Sequence, residues 1–143
     1  MNKITFVIPG DPLAKKRPRF TRRGHAYNEQ KADEEGFGWQ IKSQLPKGFA
    51  MFKKDTPVIL ECSFYLSIPE SASKKKQSEM AMQIIKHTKK PDLDNCVKYV
   101  KDCLKSIIYH DDSAVIKETS TKEYSSIPRT EIVISKVEKN KDN

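Results

Sequence analysis

The sequence predicts one α+β domain, in which a mixed β-sheet packs against helices in the order β-α-β-(α)-α-β-β. Three observations predict it. Residues 58–68 alternate apolar and polar side chains almost strictly. Residues 93–108 carry apolar side chains at three- and four-residue steps. The 143-residue length suits a single core and offers no second domain.

The elements follow in order. Ile4 to Ile8 is a short β-rich run closed by Pro9-Gly10. Residues 12–26 read as a basic loop broken by proline. Asn28 is placed to cap a helix from about Glu29 to Gln44, with Glu29, Asp33, Glu34 and Glu35 toward its positive end and Gly36 and Gly38 weakening its interior. Val58, Leu60, Cys62, Phe64, Leu66 and Ile68 share one face of the central strand, which Pro69 stops. Residues 70–90 read as a short helix near 74–86 and then a mobile basic loop. The long helix puts Leu93, Cys96, Val97, Val100, Cys103, Leu104, Ile107 and Ile108 on one stripe. Asp94, Lys98, Lys101 and Lys105 fall opposite, with Asp102 at the edge. Two strands end the domain, near 114–123 and 130–137, joined at Ser125-Ser126-Ile127-Pro128. Residues 138–143 are expected to fray.

Charge narrows the function. The chain carries 27 Lys and Arg against 19 Asp and Glu, a net of +8, which favours a nucleic acid or an anionic surface as partner. No apolar run reaches the roughly 20 residues of a membrane span, and the first residues lack a secretory pattern, so a cytoplasmic chain is expected. Cys62, Cys96 and Cys103 form no CxxC pair and read as small buried hydrophobes rather than zinc ligands.

Against this basic background stands an acidic constellation: Asp92, Asp94 and Asp102 along the long helix, then Asp111 and Asp112. A strand that returns after Asp112 is expected to bring it near Asp92 and Asp94. Two carboxylates about 4 Å apart repel by about 4 kcal/mol at an effective dielectric near 20, so three need a cation. Oxygen ligands favour Mg²⁺ (or Mn²⁺), and the chemistry expected of such a site beside a basic surface is phosphodiester cleavage by a metal-activated water. Each acid also has an ordinary explanation. Asp92 and Asp94 can cap a helix, and Asp111-Asp112 can mark a turn. Asn95 offers an oxygen or a supporting hydrogen bond. Lys98 either pairs with Asp94 one turn earlier or faces a phosphate. His87 and His110 sit in polar loops with no assigned role.

Six cations fall in nine residues of the basic loop: Lys15, Lys16, Arg17, Arg19, Arg22 and Arg23. They read as a phosphate-tracking arm, with Phe20 or Tyr27 to stack on an unpaired base, and Lys89 and Lys90 extend the surface.

Pro91-Asp92-Leu93-Asp94-Asn95, Lys98, Asp102 and Asp111-Asp112-Ser113-Ala114-Val115 together resemble the RusA family of Holliday-junction resolvases. The N-terminal Pro9-Gly10-Asp11-Pro12 and Lys15-Lys16-Arg17-Pro18-Arg19 run is similar to the opening of many members. The resemblance implies a homodimeric, Mg²⁺-dependent endonuclease of bacterial, phage or prophage origin that resolves four-way junctions in DNA recombination and repair. It implies metal ligation by Asp92, Asp94 and Asp112, catalysis by these with Lys98, and support from Asn95, Asp102, Asp111 and Lys122. The sequence departs from relatives at Asp102-Cys103-Leu104-Lys105-Ser106, which touches packing and the helix stop rather than the acids. Rival readings are a nuclease of flaps or forks and a non-catalytic nucleic-acid-binding protein. A PD-(D/E)xK nuclease is disfavoured because Glu118-Thr119-Ser120 lacks the lysine.

Overall fold

The computed structural model describes residues 3–138. Strand β1 (Lys3–Pro9) leads into a tiny hairpin, β2 (Arg19–Phe20) and β3 (Ala26–Tyr27). Then follow helix α1 (Lys31–Ser43), strand β4 (Val58–Ser67), helix α2 (Lys74–Ala81), helix α3 (Leu93–Leu104), and strands β5 (Val115–Ser125) and β6 (Arg129–Lys136). The four long strands form one sheet in the order β1-β6-β4-β5. Its β1/β6 and β6/β4 pairs are antiparallel, while β4/β5 is parallel. The α+β class and the mixed sheet are therefore as predicted.

The alternation in β4 works as read. Val58, Leu60, Cys62, Phe64 and Leu66 are buried, while their neighbours stay open. These residues, with Phe6, Ile132 and Ile134, make the sheet's inner face, onto which α1 and α3 pack. The α3 stripe supplies Cys96, Val97, Val100, Cys103 and Leu104, and Tyr99 is buried with them. Tyr99 meets Phe37 of α1 edge to face at 5.6 Å, the aromatic contact that joins the two helices. The parallel β4/β5 pair requires a crossover, and α2, a long loop and α3 provide it. The polar segment that bears the acids is thus anchored to the sheet at both ends. The β1 edge is blunted by Gln44, whose side-chain amide accepts from the Val7 N–H at 2.9 Å and donates to its carbonyl at 2.8 Å.

Four boundaries differ from the sequence reading. The basic loop contains the β2/β3 hairpin, whose strands are too short to show a period. Helix α1 starts at Lys31 behind Gln30, and Asn28 is no cap: its carboxamide oxygen accepts from the Gln30 N–H in a turn two residues earlier. Helix α2 stops at Ala81, and α3 stops at Leu104 rather than Ile108. Ser106 takes φ 69°, which breaks the helix while Ile107 and Ile108 still reach the core. Of the tail expected to fray, residues 139–143 lie outside the described residues.

Candidate nucleic-acid and metal site

Asp92 and Asp94 sit at the start of α3, and both are exposed. Asp92 holds the N-cap position with extended backbone, yet its carboxylate makes no capping hydrogen bond. Its nearest cation is Lys90, at 3.6 Å. The capping role is therefore unused, and two carboxylates stand open beside the helix start. Asp92 borders a groove of about 430 Å³ lined also by Pro12, Lys16, Asp33, Lys90 and Asn95, and Asp94 stands beside it one half-turn along α3. One wall is the root of the basic loop, and another is the α3 N-terminus. Lys98 is exposed on the next turn, and it forms no ion pair with Asp94 among the described residues.

Asp112 is not there. Helix α3 and strand β5 run in opposite directions. Lys101 pairs with Glu118 at 3.1 Å, and Lys122 reaches the carbonyl of Pro91 at 2.9 Å. The start of β5 therefore lies beyond the far end of α3. Twelve helical residues at about 1.5 Å each separate the two ends by about 18 Å. Among the described residues no three His, Cys, Asp or Glu side chains converge as a metal site. The expectation that Asp112 joins Asp92 and Asp94 within one chain is therefore overturned. A strand that follows a helix by a short connection starts where the helix stops, and its other end returns. That end carries Lys122.

The neighbouring acids have structural work. Asp111 accepts from the Ser113 N–H at 3.1 Å and pairs with Lys105 at 3.1 Å, which holds its carboxyl at about 2. Asp112 opens a 3-10 turn (Asp112–Ala114), half-exposed and beside no capping bond of its own. Asp102 lies 2.9 Å from Lys15 Nζ, which also meets Glu34 at 2.9 Å. The Lys15 ammonium thus ties the basic loop to α1 and α3, and its backbone N–H donates to the Asn95 carbonyl at 2.8 Å.

Sequence reasoning missed Gln30, only 2% exposed, which knots the same loop. It accepts from the Lys16 N–H and donates to the Ala14 carbonyl. A buried glutamine leaves no periodic signal. The remaining arm residues divide. Arg19 is held by Glu29 at 2.7 Å, and Lys16 lies 4.0 Å from the same carboxylate. Arg17, Arg22 and Arg23 are exposed and unpaired among the described residues, and Phe20 is 69% exposed at the hairpin. Lys89 and Lys90 are exposed on the loop before α3.

Burial pushes Cys62 and Cys103 to about 12 and Cys96 to about 11, so all three thiols stay protonated, as small buried hydrophobes should. His87 rests on Tyr124 with ring centroids 4.7 Å apart. Burial first, and the charge of Lys122 second, hold it below the usual histidine value. His110 lines a separate hollow of about 270 Å³ with Lys53 and Lys54, at the Asp111 end of α3. No helix among the described residues is long and apolar enough to cross a membrane.

A family model described as "Endodeoxyribonuclease RusA" matches residues 9–135. The Bacillus subtilis (strain 168) protein YqaN, itself described as uncharacterized, is 35% identical over 144 residues, an alignment that spans 96% of this chain and 99% of that one.

Proposed function

This chain belongs to the RusA endodeoxyribonuclease family, and from that premise we propose that it is a Mg²⁺-dependent endonuclease of branched DNA, with four-way junctions as its substrate. The observation that carries the proposal is the pair of exposed carboxylates, Asp92 and Asp94, at the start of α3, neither spent on capping, with Asp92 lining a groove beside Lys16 and Lys90. Mg²⁺ typically binds through one or two carboxylates, several waters and substrate phosphate oxygens, so these two fit its needs at the groove. A Mg²⁺ bound there would lower the pKa of a bound water, so that the hydroxide left on losing its proton attacks phosphorus, and would stabilise the leaving oxygen.

The protein's own groups do the rest. Lys16 and Lys90 draw the phosphate backbone into the groove against the acids. Lys98, one turn along α3 and uncommitted, faces the phosphate whose charge grows in the transition state. Arg17, Arg22 and Arg23 track the flanking phosphates, and Phe20 stacks on a base freed at the branch.

Asp112 enters from a second copy. Within one chain, helix α3, about 18 Å long, stands between it and the helix start that bears Asp92 and Asp94. A two-fold axis that sets α3 antiparallel to its counterpart brings each Asp112 to the other copy's Asp92 and Asp94. Two equivalent sites then face two equivalent strands of a junction. Strand β5, an edge of the sheet, is available for that contact.

The test is a labelled four-way junction incubated with the purified protein, with and without Mg²⁺. Symmetric nicks near the branch are expected only with the metal, and Asp94→Asn should abolish them while junction binding persists. Equal cutting of linear duplex, or an Asp94→Asn protein that nicks at the wild-type rate, would refute the proposal. Flaps and forks in the same panel define the substrate range.

A further inference from the structure

We infer that Lys122 is a positioning residue for this reaction: it holds the backbone that presents Asp92 and does not contact DNA phosphate. The inference rests on the endonuclease reading above and adds to it an atomic role for a residue some thirty positions away. Lys122 lies in the second half of the sheet's longest strand, in register with the buried Phe64 of β4. Its side chain is half-buried and points to the α3 side. There the ammonium donates to the carbonyl of Lys89 at 2.6 Å and to that of Pro91 at 2.9 Å. It lies within 4.0 Å of no carboxylate among the described residues.

An ammonium has three donors, and two of them are engaged here in short, charge-assisted bonds to the carbonyls on either side of Lys90. The segment between α2 and α3 has no regular structure of its own. Gln83 attaches it to β5 by donating to the Tyr124 carbonyl at 2.8 Å, and His87 packs on the Tyr124 ring. Lys122 is the tie closest to the acids. Asp92 follows Pro91 directly, and its own carbonyl receives the Cys96 N–H at the first turn of α3. Lys122 therefore fixes the last backbone unit before Asp92 onto the rigid sheet. It also engages the two carbonyl oxygens that flank Lys90. Catalytic carboxylates tolerate displacements of only about 0.5 Å.

The experiment compares wild type, Lys122→Met and Lys122→Arg as full-length proteins. Hydrogen exchange is followed across residues 83–95. Junction affinity is measured against salt without a cleaving metal, and single-turnover nicking is measured against Mg²⁺ concentration. Removing a supporting partner of a metal ligand typically costs 10–100-fold in metal affinity or activity. Lys122→Met should therefore nick about 10–100-fold more slowly at low Mg²⁺, recover partly as Mg²⁺ rises, and exchange faster at residues 88–92. Its junction affinity and salt slope should stay at wild-type values. Lys122→Arg, still able to donate to two carbonyls, should recover most of the loss. If Lys122→Met unfolds, the Arg protein alone decides: wild-type exchange with near-normal Mg²⁺ dependence supports the clamp, and normal exchange with lost DNA affinity overturns it. Unchanged exchange in a folded Lys122→Met protein also overturns it, as does a salt slope shallower by about 0.9, the signature of one lost phosphate contact. If wild type itself makes no metal-dependent nick, the endonuclease reading fails, and the exchange data still judge the clamp.

Discussion

Two crippled chains should make one working site. In the two-copy arrangement, each site takes Asp92 and Asp94 from one protomer and Asp112 from the other. A mixed pair of Asp94→Asn and Asp112→Asn chains then has one site with both substitutions and one with neither. Random exchange at equal concentrations makes about half the pairs mixed, so about a quarter of wild-type sites should return. Pairs purified through two different tags should reach about half. The readout is single-strand nicking of a labelled junction, because a lone site cuts one strand and does not resolve it. The reciprocal pair supplies the control. A chain carrying both substitutions, paired with wild type, spoils both shared sites, whereas sites confined to one chain would leave one intact. The reasoning follows from the roughly 18 Å of helix between the acids. Tag-selected Asp94→Asn/Asp112→Asn pairs that stay at background, beside wild-type pairs that cut, would refute it.

Three further outcomes are expected. Replacing Arg17, Arg22 and Arg23 together by Ala should flatten the slope of log affinity against log salt by about 2.7, whereas Lys15→Ala should lower the melting temperature with little effect on that slope, because its ammonium is held by Glu34 and Asp102. His87 should titrate below 6.5 by NMR and move upward in Lys122→Met, since burial and that lysine both disfavour its charged form. A group with a lowered folded pKa stabilises fully above its unfolded value of about 6.5, so this contribution to stability should fade as pH falls below that value. Gly36→Ala should stabilise the fold by about 0.5–1 kcal/mol in urea titrations, because the position is exposed and helical and a methyl there meets nothing within 4 Å.

Most of the scaffold is legible in the sequence because burial on one face imposes a period. Strand β4 and helix α3 are long enough to display it. The β2/β3 hairpin is too short, and α3 ends before its apolar spacing does, because Ser106 turns the chain while Ile107 and Ile108 stay near the same core. The site was half legible. Asp92 and Asp94 stand together because they are two residues apart at one helix start. Asp112 lies away from them because the end of β5 that returns to the start of α3 is its far end, at Lys122, and a sequence does not show which end of a strand comes back. Lys15 was read as an arm cation because charge runs do not reveal partners, and Glu34 and Asp102 are distant in sequence.

Strand β6 comes last in the chain of elements yet lies between β1 and β4. On a ribosome, the earlier strands emerge with that slot vacant, so the sheet cannot close until residues 129–136 are out. Any product truncated ahead of Arg129 lacks the strand that joins β1 to the rest, and with it the platform under α3. The whole sheet, and the helix face it supports, thus depends on the last strand to be made.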